Sequence, residues 1–140
     1  MKIFLSIKYH PGHRNRPWID QLSHALAAGG HETCCIARDF EAWGQHPFTP
    51  AHLMRITCEQ IRLCDLILVD FTEKGVGLGI EAGYAHALAI PIIVLIPSGT
   101  PVSATLQGIA EAIFSYSNPT DLIHLNRLLA LGSPLARRRA

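Results

Sequence analysis

The sequence predicts a single doubly wound α/β domain, a five-stranded parallel sheet with helices on both faces. Three observations predict it. Strand-sized apolar runs alternate with helical patterns five times, the middle run DLILVDF is apolar on nearly every residue, and glycine or proline punctuates most junctions. A run without polar alternation suits a strand covered on both faces, and parallel sheets are covered that way.

KIFLSIKY (2–9) is rich in β-favouring residues and reads as the first strand. HPGHRNRP (10–17) ends it with two prolines and a glycine. Trp18, Ile19, Leu22 and Leu26 then recur at helical spacing until Gly29–Gly30 stops the pattern. HETCCIA (31–37) reads as the second strand and RDFEAWGQHPF as irregular chain. Thr49–Pro50 has the form of an N-cap followed by proline at the first helical position, opening a helix to about Leu63. Asp65 to Phe71 is the third strand, and a helix is expected from about Gly79 to Ala89. PIIVLI (91–96) is the fourth strand, SGTPVSATLQGIAEA holds a helix, IFSY (113–116) is the last strand, and Pro119 to Leu131 a final helix. The domain is expected over 1–132, with a basic flexible tail at 133–140. Right-handed crossovers and the common order 2-1-3-4-5 make this a flavodoxin/Rossmann-like architecture.

Composition narrows the classes. At 140 residues, 49% hydrophobic and 16% charged, the chain reads as one soluble domain with a sizeable core. A net charge of +1 recommends neither nucleic acid nor membrane as a partner. No apolar run approaches the roughly 20 residues of a spanning helix. A strand begins directly after Met1, so no secretory signal is expected and a cytoplasmic location fits. Cys34, Cys35, Cys58 and Cys64 have no CxxC spacing and read as buried free thiols. His10-x-x-His13 lacks a third ligand, so neither a metal nor a cofactor is expected.

In such a fold ligands bind beyond the carboxyl ends of the strands, where the winding reverses. That crevice lies between strands 1 and 3, walled by the loop starting at Lys8 and the loop from Asp70 to Gly79. The second loop leads into GVGLGIEAGYAHA (75–87). Gly77, Gly79 and Ala82 match GxGxxA, but the motif is not on the first strand and no acidic residue follows the next strand to hold a ribose. Alternatively, the segment presents Glu81. Gly77 and Gly79 clear side chains from the approach, and Glu81 is expected in the first helical turn, where amides favour its ionised form. Such a carboxylate serves as a nucleophile or steadies positive charge at a sugar carbon. It is also what a first turn carries for the dipole alone.

CDLILVDFTEKGVGLGIEAGYAHAL (64–88) resembles the signature of the nucleoside 2-deoxyribosyltransferase superfamily, which includes the 2′-deoxynucleoside 5′-phosphate N-hydrolases; the core is VGLGIEAGYA (76–85). Weaker similarity runs through FLSIK and PVSATLQGIA. The resemblance implies cleavage of the N-glycosidic bond of a nucleoside or nucleotide. Glu81 would attack the anomeric carbon, and water or a second base would resolve the glycosyl ester. It also implies that Ser6, Ile7 and Lys8 contact sugar or phosphate and that the amides of Gly77 and Gly79 face the ligand. Ser103 would reach a neighbouring subunit's site, making a homodimer. The lack of a carboxylate-bearing tail of the transferase type favours hydrolysis.

The chain departs from the family at three places: Thr57 replaces an aspartate that handles the proton of the base, Gly75 replaces Asp or Ser, and Phe4 stands near a missing tyrosine. Threonine is no general acid near neutral pH. Lys8 keeps the charge of the family's arginine without its bidentate fork. Asp70, ending strand 3, is the second catalytic candidate, and Tyr9 and Gly75 join the substrate-binding set. His10, His13, Arg14, Asn15 and Arg16 share the first loop, while Asp39 and Glu41 read as solvated loop charge. Two alternatives accompany the enzyme: a non-catalytic sensor of a nucleotide-derived ligand, and a TIR-like NAD-cleaving domain, whose start KIFLSIKY resembles.

Overall fold

A computed structural model describes residues 1–132, and the basic tail at 133–140 lies outside the described residues. The strands are β1 (Lys2–Ser6), β2 (Glu32–Cys34), β3 (Leu66–Asp70), β4 (Ile92–Pro97) and β5 (Ala112–Tyr116). The helices are α1 (Arg16–Ala28), α2 (Ile36–Asp39), α3 (Pro50–Arg62), α4 (Val76–Ala87), α5 (Ala104–Ile109) and α6 (Leu122–Gly132), with a 3-10 turn at Pro119–Asp121 before α6. The sheet runs β2-β1-β3-β4-β5 and every pair is parallel, the predicted order.

Strand alternation divides the core. Phe4, Ile67, Val69 and Val94 face Ile61 of α3 and Leu78, Ala82 and Ala85 of α4. Ile3, Leu5, Leu66, Leu68 and Leu95 face Ile19, Leu22 and Leu26 of α1 and Leu122, Leu125 and Leu129 of α6. Ser6, next after Leu5, therefore belongs to the α3/α4 side, and Asp70, next after Val69, to the α1/α6 side. Thr49 caps α3, its side chain accepting from His52 N at 3.3 Å. All four cysteines are free, Cys58 half-buried and the others buried. Among the described residues no helix is long and apolar enough to cross a membrane.

Three boundaries differ from the sequence reading, each for a physical reason. β1 stops at Ser6, so Ile7, Lys8 and Tyr9 lie in the following loop, where Asn15 Nδ2 donates to Lys8 O at 3.0 Å. β2 stops at Cys34 because the chain turns into α2. Asp39 accepts from Cys35 N at 2.8 Å there, and Arg38 donates to Ser23 Oγ at 2.7 Å and Thr33 O at 2.8 Å. Asp39 is an exposed charge, as expected, that also accepts from the backbone at the start of α2 and pairs with Arg38. Finally, α4 starts at Val76 with Gly75 as its N-cap, placing Gly77 and Gly79 inside the helix. Two helical glycines oppose this by about 1 kcal/mol each relative to alanine. Burial of Leu78, Ala82 and Ala85 against the sheet outweighs it.

Candidate active site

The crevice beyond β1 and β3 opens into a cavity of about 410 Å³, a volume in the range of small-molecule sites. Phe4 of β1 and the β1–α1 loop (Ile7, Lys8, Tyr9, His10, His13, Asn15) form one side. Cys35, Ile36, Ala37 and Glu41 form a second, Leu53, Met54 and Thr57 of α3 a third, and Gly75, Val76, Gly77, Leu78 and Glu81 a fourth.

Glu81 comes to this cavity from the second turn of α4 and is half-buried. Ser6, fully buried at the end of β1, donates its hydroxyl to Glu81 Oε2. Burial pushes the Glu81 carboxyl up to about 7, and the Ser6 hydrogen bond opposes this only in part. The expectation that the helix start keeps Glu81 ionised is therefore overturned. With α4 beginning at Val76, Glu81 sits beyond the first turn, and the loss of solvent dominates its titration. Near neutral pH the group is poised between its two forms.

The other candidates distribute unevenly. Lys8, Tyr9, Ile7, Gly75 and Gly77 border the same cavity as Glu81. A Cβ on Gly75 would stand 3.7 Å from Lys8 Cγ and from Leu78 Cγ, ordinary contact distances, so the site has room for the side chain that the resemblance expects there. Gly79 and Ser103 lie elsewhere, in a groove of about 680 Å³ between α4 and α5 that Gly75, Val76 and Leu78 also border. Ser103 caps α5, accepting from Leu106 N at 3.3 Å. Within one chain it is not brought to Glu81.

Asp70 is not brought to Glu81 either. It is 4% exposed on the opposite side of the sheet, accepting from Trp18 Nε1 at 2.6 Å, Thr72 N at 3.0 Å and the Thr72 hydroxyl. Thr72 reaches the Tyr116 hydroxyl at 2.9 Å, and Tyr116 stacks on Trp18 with centroids 5.2 Å apart. With both carboxylate oxygens engaged, Asp70 ties α1 to the sheet; its catalytic assignment beside Glu81 is corrected on this geometry.

Several site residues escaped the sequence. Leu53 and Met54 share an α3 face with Thr57 and Ile61, and that spacing was the available signal. Glu41 borders the cavity rather than standing in a solvated loop. Near the mouth, His13 makes edge contacts to Tyr9 and Trp43 at 5.5 and 5.7 Å between centroids, and the Arg16 guanidinium lies 4.7 Å over Trp43. His13, Ala42 and Trp43 have φ of 47°, 46° and 57°, a concentration of uncommon backbone at the cavity. Glu73 joins Lys8, His10 and Arg14. Contacts across 30 and 60 residues of chain leave no local pattern to read.

The fold and crevice together define a doubly wound α/β protein with a carboxylate at the topological switch point. No family model and no curated protein sequence matches the chain. Solved structures do. A 2-deoxyribosyltransferase from Bacillus psychrosaccharolyticus superposes with a TM-score of 0.69 at 16% identity, over 88% of this chain and 90% of that one. The CMP N-glycosidase BcmB of Clostridium botulinum gives 0.65 at 20% identity, over 91% and 98%. BlsM gives 0.62 at 20% identity, over 95% and 97%. At these identities the likeness is one of fold, and the first of these proteins bears the name of the superfamily that residues 64–88 resemble.

Proposed function

We propose that the protein cleaves the N-glycosidic bond of a nucleoside or nucleotide, with Glu81 as nucleophile and water as the favoured acceptor. One observation carries this: a carboxylate enclosed at the switch-point cavity and oriented by a buried serine. Ionised Glu81 attacks the anomeric carbon, the bond to the base breaks, and its electron pair leaves with the base. Water then attacks the same carbon, releasing the sugar and the carboxylate, and the proton that the water gives up balances the one that the departed base takes from solvent. Positive charge developing at the sugar carbon favours ionised Glu81, so the transition state gains an interaction weaker in the ground state. The resemblance and the names of the 2-deoxyribosyltransferase and the CMP N-glycosidase support the same chemistry.

The same reading includes a homodimer that brings Ser103 of a second copy near this cavity. In its support, α4 carries apolar residues around most of its circumference, with Val76 83% and Ile80 51% exposed beside the groove that holds Ser103.

The test is incubation with ribo- and deoxyribonucleosides, their 5′-monophosphates and NAD, following free base, with Glu81→Gln as control. Wild type releases base from one panel class, and the variant loses this activity by about three orders of magnitude or more. Base release that survives the substitution would refute the nucleophile.

Thr57 favours a second reading, a sensor that binds such a ligand without cleaving it. It is 2% exposed at the cavity and is no proton donor for a departing base. Saturable binding of a panel member without base release supports the sensor. Gain of release in Thr57→Asp, absent from Thr57→Asn, would identify the missing acid.

A further inference from the structure

The Glu81 cavity is bordered by a second titratable side chain that the steps above leave without a role. His13 of the β1–α1 loop is half-buried, and its ring meets Tyr9 and Trp43 edge-on. Among the described residues neither ring nitrogen has a hydrogen-bond or ion-pair partner. The backbone beneath it is pinned: His13 N donates to His10 O at 2.8 Å, and Arg16 N donates to His13 O at 2.9 Å. His13 has a φ of 47° and Trp43, packed on it, 57°. Side chains rarely adopt this conformation, and it persists where surrounding contacts over-determine it. Gly44 completes the seat, since a Cβ there would come 3.1 Å from His13 Nε2. Rings and backbone thus hold the imidazole, while its nitrogens are left for another partner.

Other groups at the cavity are engaged or unsuited to giving a proton. His10 Nε2 lies 2.6 Å from Glu73 Oε2, which Lys8 also approaches. Burial pushes the Cys35 thiol up to about 11, and Thr57 carries only a hydroxyl. Imidazole is the side-chain type that both holds and releases a proton near neutral pH, where a carboxylic acid has ordinarily given its own up. We propose that His13 is the general acid for the departing base, in the role that Thr57 cannot fill. This rests on the cleavage reading above. The protonated imidazole gives its N–H proton to a ring nitrogen of the base as the glycosidic bond breaks and its electron pair goes to the base. Neutral His13 then takes the proton of the water that attacks the glycosyl ester, so the cycle closes on His13 in place of solvent.

Leaving-group dependence in the full chain tests this. The substrates are the ribo- and deoxyribonucleosides, their 5′-monophosphates, and the 4-nitrophenyl glycosides of the same sugars and sugar phosphates. Nitrophenolate departs without a proton, whereas a base needs one. The variants are His13→Gly and His13→Asn, because glycine and asparagine both accept a positive φ and neither is an acid. Both lower kcat for base release by about a hundredfold or more and leave nitrophenolate release nearly unchanged. Added imidazole restores part of the base release in His13→Gly. Equal losses on both substrate types, or base release unaltered in either variant, overturns the acid and leaves the nucleophile in place. Wild type that releases nitrophenolate but no base also refutes His13, while the Glu81 chemistry survives. Wild type that releases neither removes the cleavage reading, and the role of His13 falls with it.

Discussion

Replacing Glu81 with glutamine removes a titration whose energetic sign is unambiguous. The carboxyl rises from an ordinary 4.5 to about 7 in the folded chain, chiefly through burial. A group whose folded pKa lies above its unfolded one contributes stability that is complete below the unfolded pKa and is lost as pH rises through the folded value. Wild type therefore loses stability between about pH 4.5 and 7, and above that range holds an ionised carboxylate at a cost. At roughly 1.4 kcal/mol per pH unit the rise corresponds to about 3 kcal/mol. The glutamine side chain of the Glu81→Gln variant carries no such charge, and its carbonyl can still accept from Ser6, so packing and hydrogen bonding stay close to wild type. Subtracting the two stability curves cancels groups that titrate alike in both proteins. Urea unfolding at half-unit steps from pH 4.5 to 8.5 reads the difference directly. Glu81→Gln gains on wild type by about 3 kcal/mol across that interval, or about 10 °C in thermal midpoint for a domain of this size. A difference that stays flat with pH, or shrinks as pH rises, would refute the account of Glu81 as a desolvated carboxylate.

Three further outcomes follow. Ser6 donates to the ionised form of Glu81, so Ser6→Ala raises the carboxyl pKa further and moves the acid limb of kcat/KM for base release to higher pH; an unmoved limb would detach Ser6 from the nucleophile. Gly29→Ala sets a Cβ 2.5 Å from Asn126, whose Nδ2 already donates to Ala25 O at 2.7 Å, and lowers stability by about 1–3 kcal/mol. The cost falls sharply in an Asn126→Ala background, which a double-mutant cycle by denaturant titration measures. Val76→Glu puts a charge on the exposed face of α4 and converts a dimer to monomer by light scattering, whereas a wild-type chain already monomeric at high concentration would remove the homodimer from the proposed function.

Much of the fold was legible because its rules are local. Thr49–Pro50 announced the start of α3, Gly29–Gly30 the end of α1, and the unbroken apolar run 66–69 the covered middle of a parallel sheet. Once the strands were counted, the common winding order placed the crevice and directed attention to Glu81. The errors came where tertiary packing overrode a local signal. Gly77 and Gly79 looked like loop residues, yet Leu78, Ala82 and Ala85 gain enough by burial to draw both into α4.

The sequence by itself determined the strands, most of the helices, the winding and the identity of the carboxylate at the switch point, since periodicity and capping act over a few residues. Only the tertiary structure decided the chemistry of that carboxylate. Desolvation and the Ser6 hydroxyl, 75 residues away in the chain, set its titration, and neither acts along the sequence. It also decided that Asp70 faces α1. β3 is buried on both faces, so its sequence carries no polar alternation to assign a side. Glu73 reaches its place among Lys8, His10 and Arg14 for the same reason: charges separated by some 60 residues meet only when parallel strands bring their following loops together.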